Sequence, residues 1–171
     1  MIYADNAATT KISDLAFEKM LPFLREQYGN ASSQYTLGTK AKRAIEQARR
    51  QVADAIGAQS SEITFTSGGS EANSWALRGV ADFFKGETIH VITTSIEHQS
   101  VLNTCHSLES IGVEVTYLPV EKDGVASLEC LQSAIRPNTR LVSIMLANNE
   151  IGTIQPIAEI GRLLRERGIL C

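Results

Sequence analysis

Long apolar runs are missing from this sequence. None approaches the ~20 residues that a membrane-spanning helix needs, so nothing in it predicts a membrane partner. Cysteine is scarce: Cys105, Cys130 and Cys171 are odd in number and far apart, with neither disulfide nor zinc spacing. That pattern points to no metal site and fits a reducing cytoplasm. The first residues, Met1-Ile2-Tyr3-Ala4-Asp5, lack a basic stretch followed by an apolar one and do not read as a signal peptide. An excess of positive charge is absent as well. The net charge is −3, with Lys and Arg scattered among the acids, which predicts no nucleic-acid binding. Repeats and low-complexity linkers are also lacking.

What is there is a globular balance. Apolar residues make up 43 % and charged residues 20 % of 171 positions, enough for one domain of ordinary size. Asp5-Asn6-Ala7-Ala8-Thr9-Thr10 reads as a loop. Ser13 caps a helix expected over Asp14–Gln27, with Pro22 inside it working against continuity. Gly29-Asn30-Ala31-Ser32-Ser33-Gln34-Tyr35 has loop chemistry. Ala41, Ala44, Ile45, Ala48, Val52 and Ile56 then recur at helical spacing over Leu37–Ile56, closed by Gly57.

From there strands and helices alternate. Strands are expected at Ile63–Thr66, His90–Thr93, Glu114–Leu118 and Leu141–Leu146, and helices at Ser70–Phe84, Glu97–Ser110, Leu128–Ile135 and Ile157–Arg167. Asp123-Gly124 reads as a turn. Ile169-Leu170-Cys171 looks like the opening of a further strand. Repeated βα alternation predicts an α/β fold of three layers, αβα, with a mainly parallel sheet. The organisation expected is an N-terminal loop and helices over 1–57 and the first part of an α/β domain over 58–171. A sheet that stops at an opening strand would leave open edges and apolar faces, so the sequence reads as the front part of a larger fold that self-associates.

Ligands of open α/β sheets bind beyond the carboxyl ends of the strands, and three polar clusters fall at such ends. Ser67-Gly68-Gly69-Ser70 turns directly into a helix start, where free N–H groups and the positive end of the helix dipole suit a phosphate. A Gly-Gly-Ser turn is also an ordinary βα connection, and only the company of the other clusters raises it. In Thr94-Ser95-Ile96-Glu97-His98, His98 falls just inside a helix N-terminus, where the dipole favours a neutral ring that can stack and exchange a proton. A capping or surface histidine is the plainer alternative. Asn149, in Asn148-Asn149-Glu150, offers donors and an acceptor to a ring oxygen or a carboxylate, or else serves a left-handed turn. Asn6 and Asn30 read as turn formers, Glu97 as a charge favouring a helix start, and the cysteines as structural.

Taken in order, Asp5-Asn6-Ala7-Ala8-Thr9-Thr10, Gly29–Ser33, Phe65-Thr66-Ser67-Gly68-Gly69-Ser70-Glu71-Ala72-Asn73, Thr94–His98 and Ala147-Asn148-Asn149-Glu150-Ile151-Gly152-Thr153-Ile154-Gln155-Pro156 resemble the cysteine desulfurases. These are pyridoxal-phosphate enzymes of the class-V aminotransferase group. The resemblance covers the whole chain. It implies the large domain of the fold-type-I pyridoxal-phosphate enzymes, and sulfur removal from L-cysteine to give L-alanine and an enzyme persulfide. That sulfur feeds iron–sulfur cluster or thiolated-cofactor assembly. The partners implied are a sulfur acceptor or scaffold protein and a second copy of the chain. Position by position, Gly69 and Ser70 would hold the phosphate, His98 would stack on the ring and move a proton, and Asn149 would contact the ring oxygen. Ala31 and Tyr35 depart from the Pro and His usual in the family.

The resemblance also implies residues that these 171 positions do not supply: an Asp for the pyridinium nitrogen, a Schiff-base lysine in a Ser-x-His-Lys motif, and a sulfur-accepting Cys. No lysine, Lys40 and Lys42 included, occupies that motif. The expectation is therefore a desulfurase portion inactive by itself. The alternatives are a truncated association protein and a portion of a selenocysteine-lyase-like class-V enzyme.

Overall fold

Five consecutive residues, His90–Thr94, are all buried, and they form the central strand, β1. Burial on both faces suits a parallel strand covered by helices on each side. The computed structural model describes residues 2–171. Two compact units are present, one ending at Phe65 and the other running Thr66–Cys171.

The first unit carries α1, Asp14–Arg25, and α2, Thr36–Ile56. The Ser13 side chain accepts the Ala16 N–H at 3.2 Å and fixes where α1 begins. Pro22 does not break α1, because its own carbonyl still takes the Glu26 and Gln27 N–H groups. Gly57 closes α2 in the left-handed region, with φ 69°, where a side chain would be strained.

The expected strand at Ile63–Thr66 does not form. Those residues pair with no other strand, and the Ile63 carbonyl instead accepts from the Arg49 guanidinium, which also sits 5.1 Å from the Phe65 ring centroid. A β-rich composition is only half of a strand; the other half is a partner ladder.

The second unit holds α3, Gly69–Phe83; β1; α4, Gln99–Glu109; β2, Glu114–Leu118; α5, Leu128–Ala134; β3, Thr139–Ser143; and α6, Ile157–Glu166. The sheet order is β2-β1-β3, and both pairings are parallel. Residues along β1 alternate between faces, as the strand period of two requires. Val91 packs with Leu77, Val101, Cys105 and Leu108 of α3 and α4. Ile92 packs with Leu131, Ile160 and Leu164 of α5 and α6. One apolar cluster on each side gives three layers and an α/β fold. Full burial of each such side chain is worth ~1.5–3 kcal/mol. The last residues make only a single bridge, Leu141 to Leu170, in the parallel sense.

Candidate functional site

Two of the three polar clusters sit beyond carboxyl ends of true strands, the turn after β1 and the loop after β3. Between them lies a cavity of about 370 Å³, bordered by His98 and Gln99 on one side and Asn149 and Glu150 on the other.

His98 is not inside the helix. It is the N-cap of α4, with φ −58° and ψ 146°, and α4 itself begins at Gln99. Its Nδ1 accepts the Ser100 N–H at 3.1 Å and lies 2.8 Å from Ser100 Oγ. A ring nitrogen that accepts a backbone N–H carries no proton, so the proton of the neutral imidazole resides on Nε2. The capping and the functional readings of His98 are thus compatible: one nitrogen caps, the other stays available.

The third cluster behaves differently. Gly69 and Ser70 are the first two residues of α3, and neither borders the cavity. Gly68, the cap, makes no side-chain hydrogen bond, and Ala72 is the first residue whose N–H closes back onto the Gly68 carbonyl. The N–H groups at the start of a helix have no intrahelical acceptor. A Cβ placed on Gly68 or Gly69 would meet nothing within 4 Å, so open space lies over these donors. The Glu71 carboxylate takes the Ser67 N–H at 2.6 Å and the Ser67 hydroxyl at 2.7 Å. Those hydrogen bonds hold its carboxyl below the ordinary range. The α3 start is joined to the histidine side through Asn73, whose Nδ2 donates to Ser100 Oγ at 2.9 Å.

Asn149 lies in the turn after β3 with its side chain exposed. It does not adopt the left-handed conformation, since among the described residues only glycines have positive φ; Gly152, at 73°, takes that role. The polar work of the loop falls to its neighbour. Asn148 Oδ1 accepts the Glu150 and Ile151 N–H groups at 2.8 and 3.0 Å, and its Nδ2 donates to the Ile96 carbonyl at 2.9 Å.

Glu97 is the residue that sequence reasoning placed wrongly. It precedes α4, so it is no helix-start charge; it turns inward and is 6 % exposed. Burial pushes its carboxyl above the ordinary range, while hydrogen bonds from Met145 and Thr94 pull it back. The signal available for it was a lone acid between two buried-strand ends, too weak to single out. Asn6 sits in the turn begun by Asp5, and Asn30 Oδ1 accepts the Ser32 N–H at 2.9 Å, both within the first unit. Cys105 is fully buried, and burial followed by the charges of Glu109 and Glu97 pushes its thiol up to about 11, so it is inert. Cys130 and Cys171 are exposed and free. Among the described residues no group of three or more His, Cys, Asp or Glu could hold a metal ion, and no helix is long and apolar enough to cross a membrane.

The residues present fit an aromatic phosphate ester such as pyridoxal phosphate. Helix-start donors under open space suit the phosphate, and a neutral imidazole facing an amide across a cavity suits a polar ring.

Comparison with known proteins agrees. Residues 2–171 match the aminotransferase class-V family. A cysteine desulfurase IscS of Methanosarcina thermophila is 52 % identical over 168 residues, covering 98 % of this chain and 42 % of that protein. A human cysteine desulfurase is 48 % identical over 169 residues, 98 % of this chain and 37 % of its own length. Among solved structures, SspA in complex with cysteine superposes with a TM-score of 0.94 at 46 % identity, over 98 % of this chain and 48 % of that one. A NifS-like protein gives 0.92 at 44 % identity, over 95 % and 44 %. The chain thus spans less than half the length of these relatives. It belongs to the class-V aminotransferase family.

Proposed function

We propose that this chain forms the phosphate- and ring-binding side of a pyridoxal-phosphate-dependent cysteine desulfurase. The observation that carries the reading is the pairing of His98 and Asn149 across one cavity, with His98 tied through Ser100 and Asn73 to the unclaimed donors of α3. The relatives support it: the Methanosarcina thermophila and human proteins are named cysteine desulfurases, and the SspA structure is a complex with cysteine.

In the whole enzyme, the sulfur of L-cysteine passes to an enzyme thiol as a persulfide and L-alanine leaves. That sulfur then serves iron–sulfur cluster or thiocofactor assembly through an acceptor or scaffold protein. When bound, pyridoxal phosphate supplies the electron withdrawal that loosens bonds at the substrate α-carbon. Gly69 and Ser70 would hold the phosphate through backbone N–H groups and a hydroxyl. His98 would present one face to the ring and, with Nδ1 engaged by the Ser100 N–H, would offer Nε2–H as its free donor for proton transfer. Asn149 would donate to the ring oxygen. In this reading these 171 residues hold the cofactor reversibly and do not release sulfur by themselves; among the described residues lining the cavity there is no lysine.

Fluorescence titration with pyridoxal 5′-phosphate tests this reading. The chain binds it, dialysis removes it, and His98→Ala weakens it by about tenfold, ~1.4 kcal/mol. No binding, or a yellow band that survives dialysis together with sulfide release from L-cysteine, would sink the corresponding half of the proposal. We infer self-association as well, because β2 presents an outer edge in this sheet while β3 is covered on its outer side only by the bridge to Leu170. Sedimentation of the same samples would show a dimer, and a monomer at every concentration would refute it.

A further inference from the structure

Glu97 is a buried acid bordering the cavity that none of the roles above employs. Its Oε1 accepts from Thr94 Oγ1 at 2.8 Å and from the Met145 N–H at 2.9 Å. Thr94 ends β1, and Met145 lies just past the end of β3. One oxygen therefore ties together the ends of two neighbouring strands. A second tie runs in the opposite direction, from Asn148 Nδ2 to the Ile96 carbonyl, while the same side chain's Oδ1 holds the Glu150 and Ile151 N–H groups. His98 follows Glu97 directly, and Asn149 sits between the tied Asn148 and Glu150.

We propose that Glu97 and Asn148 are positioning residues, a two-point clamp that sets the gap between His98 and Asn149 and so the site's affinity for the pyridine ring. The inference deepens the function proposed above and rests on it. The ties are made by the β1 turn and the β3 loop, while α3 meets the histidine side only at second hand through Asn73 and Ser100, so the clamp acts on the ring more than on the phosphate donors. Loss of either tie leaves buried partners unmatched: without Glu97, the Met145 N–H and the Thr94 hydroxyl lose their acceptor.

The test compares Glu97→Ala, Glu97→Gln, Asn148→Ala and the double alanine variant in the full chain. Pyridoxal 5′-phosphate and inorganic phosphate are titrated separately, and amide hydrogen exchange is followed at Glu150 and Ile151. Glu97→Ala and Asn148→Ala each weaken pyridoxal phosphate by about tenfold, and phosphate by no more than about twofold. The double variant falls short of the product of the two, because both act on one spacing. Glu97→Gln keeps an acceptor oxygen and stays within about threefold of the unaltered chain. Exchange at Glu150 and Ile151 quickens in Glu97→Ala and not in Glu97→Gln. Equal loss of both ligands, a glutamine variant as weak as the alanine one, or unchanged exchange in Glu97→Ala would each overturn the clamp. If the unaltered chain binds no pyridoxal phosphate, the function fails while the exchange measurement still decides the clamp. Should Glu97→Ala not fold, Asn148→Ala in the two titrations decides it.

Discussion

Three strands meet on a single imidazole. His90 is fully buried at the start of β1, with Nδ1 2.8 Å from Thr139 Oγ1 on β3 and Nε2 2.8 Å from Thr116 Oγ1 on β2. Two hydroxyls can satisfy either ring form, so it is burial that favours the neutral one. Burial lowers the His90 pKa, the charge of Arg136 lowers it further, and Glu114 opposes. The unfolded chain therefore protonates first as the pH falls below 6.5, and stability present above that pH is lost on acidification. Thermal unfolding from pH 7.5 to 5.5 checks this. His90→Gln is less stable at pH 7.5 by about 1–3 kcal/mol but loses less on acidification; equal slopes would remove the account. Sequence alone singles out His98 and Asn149 as candidates, because their neighbours spell a motif. It could not name Glu97 or Asn148. Their importance comes from a tie between β1 and β3, which is made through space and leaves no local pattern.

Elements were more legible than their partners. The helices declared themselves through apolar spacing and caps such as Ser13 and Gly57, all of which act within a few residues. The segment 63–66 has the composition of a strand and none of the pairing, since a ladder depends on a partner far along the chain. Gly38 shows the opposite case, a glycine whose need is invisible in a helical pattern. A Cβ there would strike the Ser33 carbonyl and lie 2.6 Å from the Asn30 carbonyl. Both obstacles are backbone, in a turn already fixed by the Ser33 N–H donating to the Asn30 carbonyl. Gly38→Ala therefore lowers stability by about 1–3 kcal/mol, despite alanine's better helix propensity. A urea titration reads the cost; an unchanged midpoint would mean that the turn yields freely.

At the scale of the molecule, the α/β class and the parallel sheet followed from alternation. The expectation of a larger fold came from the sequence too, while the fraction of the relatives' length came from comparison. The sheet order adds a matter of timing. β1 lies at the centre, yet its neighbours are made in sequence, β2 first and β3 well after it. A chain synthesised as far as Leu118 already holds α3, β1, α4 and β2, and with them most of the cluster around Val91. Ile92 and Leu118, on the other face, must wait for Leu131, Val142, Ile160 and Leu164. Pulse-labelled exchange during refolding would find Val91 and Thr116 protected before Val142; simultaneous protection would contradict this order. For an interval on the ribosome, then, the growing chain carries a finished face and a bare one, and that bare face is where a chaperone would find it.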